Sequence, residues 1–416
     1  MEAITSDSVR PAASRRWLRR GIALVAVLLV GALLFPTLIY ELAKNRLERV
    51  TGPLEASRFD PPGLPAGNAG DRLREAAQLL AFSPDERSLL TATVKGGPAA
   101  LRAQRQPLAP LLERNQEALR LASSLPPGAA RLKIAYEARN WTPRDLPLQL
   151  PLAQLLYARG ALALDDGDAA GTLAAVRSLG RQAEILEGEP GLIIQLYGFS
   201  AEKYQLQLAA ALLETGAADP TPFVLSNDLC RQYRDAITLQ AAGLDRALWA
   251  GLDDTAMEAR GKGFLAHLKA NWLQWTGPLL GATAFNRYRL YSQACDRDYG
   301  WIDKHLVDHP GDATVTVSTN VQVDRKVGPD YPNVVARYRA ATGSRALIRE
   351  GQKARDTLRA GGTCDAIGKT LRGSRLEAGE GPSGCVLRVA DGKDYLRLFA
   401  PAGATAFPQE CILKKP

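Results

Sequence analysis

The chain has 416 residues, of which 46% are hydrophobic and 23% charged, and its formal net charge is +8. That length is enough for a large hydrophobic core and for more than one domain. The excess of basic residues is mild and partly confined to the N-terminus, so it does not favour a nucleic-acid-binding protein.

An uncharged run extends from Gly21 to Tyr40. At about 1.5 Å per residue it is just long enough to cross a hydrocarbon core of roughly 30 Å. Five arginines precede it: Arg10, Arg15, Arg16, Arg19 and Arg20. Because basic residues favour the cytoplasmic side of a span, residues 1–20 are predicted to be a cytoplasmic tail and 21–40 a transmembrane helix.

A cleaved signal peptide is the alternative for this segment. The apolar run is longer than the core of most signals, and no small-residue cleavage site follows it closely. We therefore expect a retained single-pass anchor. The frequent arginine, alanine, leucine and glycine are typical of a high-GC bacterial genome. The expected location is the bacterial inner membrane, with the N-terminus in the cytoplasm and the bulk of the chain in the periplasm.

All five cysteines follow the apolar run, and three of them lie in the last sixty residues. In an oxidising periplasm this spacing predicts disulfides among Cys364, Cys385 and Cys411. Cys230 and Cys295 either pair or remain buried thiols. An odd number of cysteines leaves at least one thiol free or paired between chains.

Residues 41–70 are rich in proline and glycine and are predicted to be a linker, whereas 71–310 are predicted to be a helical ectodomain. Ser83, Pro84 and Glu86 form a capping box with proline at the first helical position. A further helix is expected over 99–124, interrupted near Pro107 and Pro110.

The clearest helical unit spans 148–186. Apolar residues recur at helical spacing on both sides of an Asp-Asp-Gly-Asp turn, and Asp168 is placed to cap the second helix. A third helix is predicted after Pro190 and Gly191, and others over 226–250 and 256–276. This pattern predicts a bundle of helical hairpins or an irregular α-solenoid.

The C-terminal third changes character. Residues 313–323 alternate and are β-branched, which predicts a strand or an extended loop, and a basic helix is expected over 333–359. Together these form a predicted segment over 311–360. In the tail, 361–416, two alternating runs flank Asp391 and Gly392, which is typical of a β-hairpin. The predicted fold is therefore mainly α, with one N-terminal transmembrane helix and a small β-hairpin at the C-terminus.

The order of an arginine-flanked span, an Ala/Leu-rich region containing LALDDGD and a short Asp-Gly hairpin resembles single-pass anchored, mainly helical proteins of bacterial envelopes that are uncharacterised. That resemblance implies a helical extracytoplasmic body. It implies no particular activity.

Two histidines give the clearest suggestion of chemistry. His305 and His309 are four residues apart, which places them on one face of a helix, and Asp308 is adjacent. The pattern is similar to the H-x-x-E-H of inverted zinc peptidases, with Asp in place of Glu. The alternative is a pair of polar residues at a fraying helix end, because Pro310 follows at once and catalytic zinc needs a third protein ligand.

Two further helical faces have either a functional or a purely structural interpretation. Arg345, Arg349 and Lys353 recur at intervals of four, which suits a face that meets lipid headgroups, anionic glycan or an acidic partner, or one that is merely solvated. Phe264, Leu268, Trp272 and Trp275 form an aromatic stripe. Such a stripe is more often core than membrane interface.

The leading functional hypothesis is a membrane-anchored extracytoplasmic helical scaffold that binds a protein of the envelope, without a cofactor. Its partners would be the inner-membrane bilayer and an envelope protein, and not nucleic acid. The alternative is a periplasmic metal-dependent hydrolase that acts through His305 and His309, with zinc as the metal.

Overall fold

The chain is mainly helical, as predicted, and has a small three-stranded antiparallel sheet near its C-terminus. The computed structural model describes residues 12–60, 63–65, 67–127, 131–136, 143–259, 263–297, 331–374, 376–382, 384–389 and 410–414. The predicted extended segment at 313–323 lies outside these residues.

The α-helices in chain order are α1 (Ala12–Thr51), α2 (Ala69–Gln78), α3 (Pro84–Lys95), α4 (Gly97–Ala103), α5 (Arg105–Arg114), α6 (Gln116–Ser123), α7 (Gln149–Asp165), α8 (Ala169–Glu187), α9 (Leu192–Thr215), α10 (Leu229–Ala259), α11 (Phe264–Ala294), α12 (Tyr331–Arg359) and α13 (Cys364–Thr370). Short 3-10 turns occur at Ala56–Phe59, Leu146–Leu148 and Thr221–Phe223. The strands are β1 (Leu376–Gly381), β2 (Gly384–Val389) and β3 (Glu410–Lys414).

The chain forms two compact units. Unit 1 comprises Met1–Val50, Leu244–Arg289 and Thr314–Val327, and unit 2 comprises Thr51–Gly243, Leu290–Ala313 and Gly328–Pro416. In unit 1 the described residues belong to α1, to the second half of α10 and to most of α11. Unit 2 contains the other helices and the sheet.

In unit 1, α1 does not end at Tyr40, where a linker was predicted, but continues to Thr51. Tyr40, Ala43 and Leu47 are buried and share one helical face. The Tyr40 ring packs edge-on against Trp249, with centroids 5.4 Å apart, and Lys44 Nζ donates to a carboxylate oxygen of Asp245 at 2.7 Å. Because these contacts stabilise the helix beyond Tyr40, α1 continues into the segment that was predicted to be a linker.

The N-terminal part of α1 is exposed. The described side chains from Ile22 to Phe35 are all exposed, and the next residue, Pro36, is the first buried one. Within the part of the chain that the structure describes, no helix offers an apolar stretch long enough to cross a bilayer.

Unit 2 is built around the helices α7, α8 and α9. The predicted cap is confirmed, because Asp168 Oδ1 accepts the Gly171 N–H at 2.8 Å, and so is the capping box at Ser83. The helix predicted over 99–124 is broken at Gln104 and Asn115, not at its prolines. Pro107 lies in the first turn of α5, where its missing N–H is not needed.

The sheet has the order β1-β2-β3 with both pairings antiparallel. The predicted first strand of the tail hairpin is β2, but its described neighbours are β1 and β3. The second predicted strand lies outside the described residues.

The disulfides are Cys230–Cys295 and Cys364–Cys385, and Cys411 is a buried free thiol. Of the three tail cysteines predicted to form disulfides, Cys364 and Cys385 are bonded to each other and Cys411 is bonded to neither. The reason is register: Cys385 lies opposite Leu413, and Cys411 lies opposite Leu387. A diagonal pair of this kind is too widely spaced for a disulfide.

Removal of the Cys364–Cys385 bond is expected to lower the thermal unfolding midpoint of unit 2. The bond joins cysteines 21 residues apart. In the chain-entropy model, a loop of that length is worth about 3 kcal/mol. Thermal unfolding of Cys364→Ser with Cys385→Ser without reductant measures the loss. Cys411→Ala is the matched control, because it removes a buried thiol and breaks no crosslink, and an equal loss there would contradict the prediction.

Candidate functional site

The helices α8, α9 and α12 enclose an ion cluster, defined here as Glu187, Glu202 and Arg345. The Arg345 guanidinium donates to Glu187 Oε2 at 2.8 Å and to a carboxylate oxygen of Glu202. Its third nitrogen donates to Asn227 Oδ1 at 2.7 Å. Both carboxylates are fully buried and the Arg345 side chain is 5% exposed. The cluster therefore joins three helices inside unit 2.

The charges of this cluster do not balance if both acids are ionised. One guanidinium faces two carboxylates, and one oxygen of Glu187 and one of Glu202 have no hydrogen-bond partner among the described residues. Burial, and next the charge of Glu202, raise the pKa of the Glu187 carboxyl well above its usual range. The raised pKa favours a proton on the Glu187 carboxyl in the folded chain.

A second buried acid, Glu189, lies just beyond the end of α8. It accepts the Leu132 N–H at 2.5 Å and the Tyr136 hydroxyl at 2.5 Å, and Arg131 forms an ion pair with it at 3.0 Å. Its backbone carbonyl accepts from Gln195 at 2.8 Å. This acid ties the segment 131–136 to α8 and α9. Because the carboxyls of Glu187, Glu202 and Glu189 are fully buried and bonded to neighbouring segments, we assign them to the fold.

An open site lies elsewhere in unit 2, in a depression of about 560 Å³ between the pair α5–α6 and the pair α7–α8. We call it the interhelical groove. Leu156 and Ala175 are its buried residues, and Arg114, Arg120 and Arg159 are its cations. Its other lining residues are Glu113, Gln116, Glu117, Ser123, Ser124, Gly171 and Ala174.

Two of the three groove cations are already paired. Arg114 bonds to Glu86 at 2.8 Å and Arg120 to Glu117 at 2.5 Å. Arg159 is exposed and has no ion-pair partner among the described residues. The groove thus combines a small apolar floor with serine hydroxyls and one available guanidinium, a combination that can hold a polar or acidic segment of chain.

A smaller depression of about 400 Å³ lies between α8 and the segment 222–227. Its cations are engaged: Arg181 donates to the Pro126 carbonyl at 2.8 Å, and Arg177 lies 4.7 Å from the centroid of the Phe223 ring. It offers less to a ligand than the interhelical groove does.

The predicted anionic-partner face does not exist as one surface. Arg345 is buried in the ion cluster, Arg349 donates to the Leu225 carbonyl, and Lys353 is exposed but bonded to Glu350 at 2.7 Å. The regular spacing on α12 suggested one solvated face, but its first residue, Arg345, faces the carboxylates of α8 and α9.

The predicted metal residues His305, Asp308 and His309 lie outside the described residues. Within the described ranges, no three His, Cys, Asp or Glu side chains converge so as to hold a metal ion. The aromatic stripe is not core at its C-terminal end, because Trp272 is 63% exposed and Trp275 37%.

Glu187 and Glu202 were not among the residues predicted from the sequence. A usable signal was present in α9, which is buried on nearly all sides. A charged residue in the middle of such a helix must be buried with a partner.

Comparison of the chain with protein-family models, with curated proteins and with solved structures finds no match.

Proposed function

We propose that the protein is a single-pass membrane protein of the bacterial envelope that binds a segment of another protein in its interhelical groove. In this proposal α1 lies in the inner membrane and unit 2 lies in the periplasm. The exposed apolar surface of α1 is the observation that carries the proposal.

Apolar side chains are exposed on every side of the N-terminal part of α1. All six residues from Ile22 to Val27 are exposed. Successive helical residues point about 100° apart, so six of them cover the full circumference. Ile22 is 61% exposed, Val27 68% and Leu34 61%. A helix that is apolar all round is typical of a buried or membrane-embedded segment, which supports embedding in lipid.

The five arginines before the run support an orientation with the N-terminus in the cytoplasm. A reporter enzyme that is active only after export, fused after Pro416, tests it directly. Activity is expected for the exported reporter and not for a reporter that folds only in the cytoplasm. The reverse pattern would refute both the orientation and the periplasmic location.

The binding half of the proposal rests on the interhelical groove. Stacked helical pairs commonly present such grooves to other proteins. The Arg159 guanidinium, which has no ion-pair partner among the described residues, favours a partner segment with an acidic side chain. The Ser123 oxygen, whose O–H donates to the Leu119 carbonyl, can still accept a hydrogen bond from a polar one.

Site-specific photocrosslinking in intact membranes measures this binding. A photoreactive residue at Ser123 is expected to yield a discrete crosslinked product, and one at the exposed Asp365 of α13 is not. Arg159→Glu should lower the yield from Ser123 about tenfold or more, because it reverses the charge that the partner meets. Equal yields at both positions, or no effect of the reversal, would contradict the groove assignment.

A further inference from the structure

Two indoles lie outside the core of unit 1 on α11. Trp272 is 63% exposed and Trp275 37%, and their ring centroids are 5.9 Å apart. Met257, on the preceding helix of the same hairpin, is 57% exposed. The two adjacent indoles form an apolar surface that water solvates poorly.

This surface lies close to the place where the buried part of α1 gives way to its exposed N-terminal part. A side chain at Gly281 of α11 would meet the Tyr40 ring at 2.6 Å, and Phe285 lies 5.1 Å from that ring. At about 1.5 Å per residue, Trp275 lies about 9 Å along α11 from Gly281, and Trp272 about 14 Å. Pro36, the first buried residue of α1, is about 6 Å from Tyr40 by the same measure.

The chemistry of this surface suits the boundary of a bilayer and not its centre. An indole has an apolar body and one N–H donor, and tryptophan is enriched at the lipid–water interface. Asp253 and Asp254 are exposed on α10, within the same hairpin. Carboxylates are costly in hydrocarbon, so the hairpin can meet lipid only at headgroup depth.

We propose that Trp272 and Trp275 form a second membrane attachment, inserted at the lipid–water interface beside the point where α1 enters the bilayer. This inference rests on the proposed anchoring by α1, because the anchor brings lipid within reach of the indoles. The occupant is the bilayer surface. The attachment limits rotation of unit 1 about its anchor.

Lipid photolabelling of the full-length chain in native membranes tests the attachment. The probe is a phospholipid with a diazirine on its acyl chain next to the glycerol ester. Trypsin yields peptide 21–44 from α1, peptide 270–287 with both tryptophans, and peptide 75–87 from α2 and α3. The last contains Leu79, which is 46% exposed in unit 2 and serves as the control. Label is expected in 21–44 and 270–287 and not in 75–87.

The outcomes separate this inference from the proposed anchoring. Label in 21–44 alone would overturn the second attachment and leave the anchor intact, whereas label in neither peptide would overturn both. Equal label in 270–287 and 75–87 would also overturn it.

A pair of variants checks that the indoles make the contact. Trp272→Ser with Trp275→Ser is expected to lower the labelling of 270–287 at least fivefold and to leave 21–44 unchanged. Leu79→Ser is the matched change on unit 2 and should alter neither peptide. Undiminished labelling of 270–287 in the double variant would overturn the assignment to the indoles.

Discussion

Replacement of Val27 and Val30 together by arginine is expected to release the protein from the membrane. The two side chains are 68% and 54% exposed and lie within the uncharged run. An arginine near the centre of a spanning helix costs about 2.5 to 3.5 kcal/mol on insertion scales. Two of them together should lower the equilibrium preference for the bilayer by about four orders of magnitude.

Alkaline extraction of membranes followed by centrifugation measures this release. The native chain should remain in the pellet, and the Val27→Arg, Val30→Arg variant should move to the supernatant. Val27→Leu with Val30→Leu keeps the run apolar and should stay in the pellet. Leu79→Arg, an equivalent charge on an exposed residue of unit 2, should stay there too. A double-arginine variant that resists extraction would refute anchoring by α1.

The helices were the most predictable part of this fold, because their signals are local. The Asp168 cap, the capping box at Ser83 and the break at Pro190 and Gly191 each depend on residues within one or two turns. The basic helix expected over 333–359 is α12, which begins at Tyr331 and ends at the predicted residue.

Contacts between distant residues were not predictable in the same way. The carboxylates of the ion cluster lie 158 and 143 residues from Arg345 in sequence. Nothing in the spacing of α12 distinguishes an arginine that faces them from one that faces water. The choice between Cys364 and Cys411 as the partner of Cys385 likewise depended on strand register, which is set by the whole sheet.

The extension of α1 past Tyr40 was also not predictable, because it too depends on contacts with residues distant in sequence. Charges at Glu41, Lys44 and Glu48 mark the end of the apolar run, and the sequence predicts that the helix ends there too. The structure separates the two, because Ala43 and Leu47 are buried on the face that bears Tyr40.

Replacement of Arg345 by methionine is expected to destabilise unit 2 by about 3 to 5 kcal/mol, the usual cost of leaving a buried charge without its partner. Methionine keeps much of the volume and removes the guanidinium from Glu187 and Glu202. Thermal unfolding measures the loss. If Glu187→Gln and Glu202→Gln are added to Arg345→Met, much of the stability should return, since no buried charge remains. No recovery would place the loss in packing and not in charge.

Glu187→Gln alone is expected to stabilise the fold, and this gain should grow as the pH rises. The folded chain keeps a proton on Glu187 that the unfolded chain releases near the usual pKa of 4.5. The stability that this proton contributes is complete below that pH and declines as the pH rises towards the raised folded pKa. Glutamine cannot lose a proton, so the variant should gain in unfolding midpoint over the native chain as the pH rises from 4.5 to 8. Glu184→Gln, a half-exposed acid on the same helix, should show no such gain. Parallel midpoint curves for Glu187→Gln and the native chain would mean that Glu187 is ionised in the fold, which would contradict this prediction.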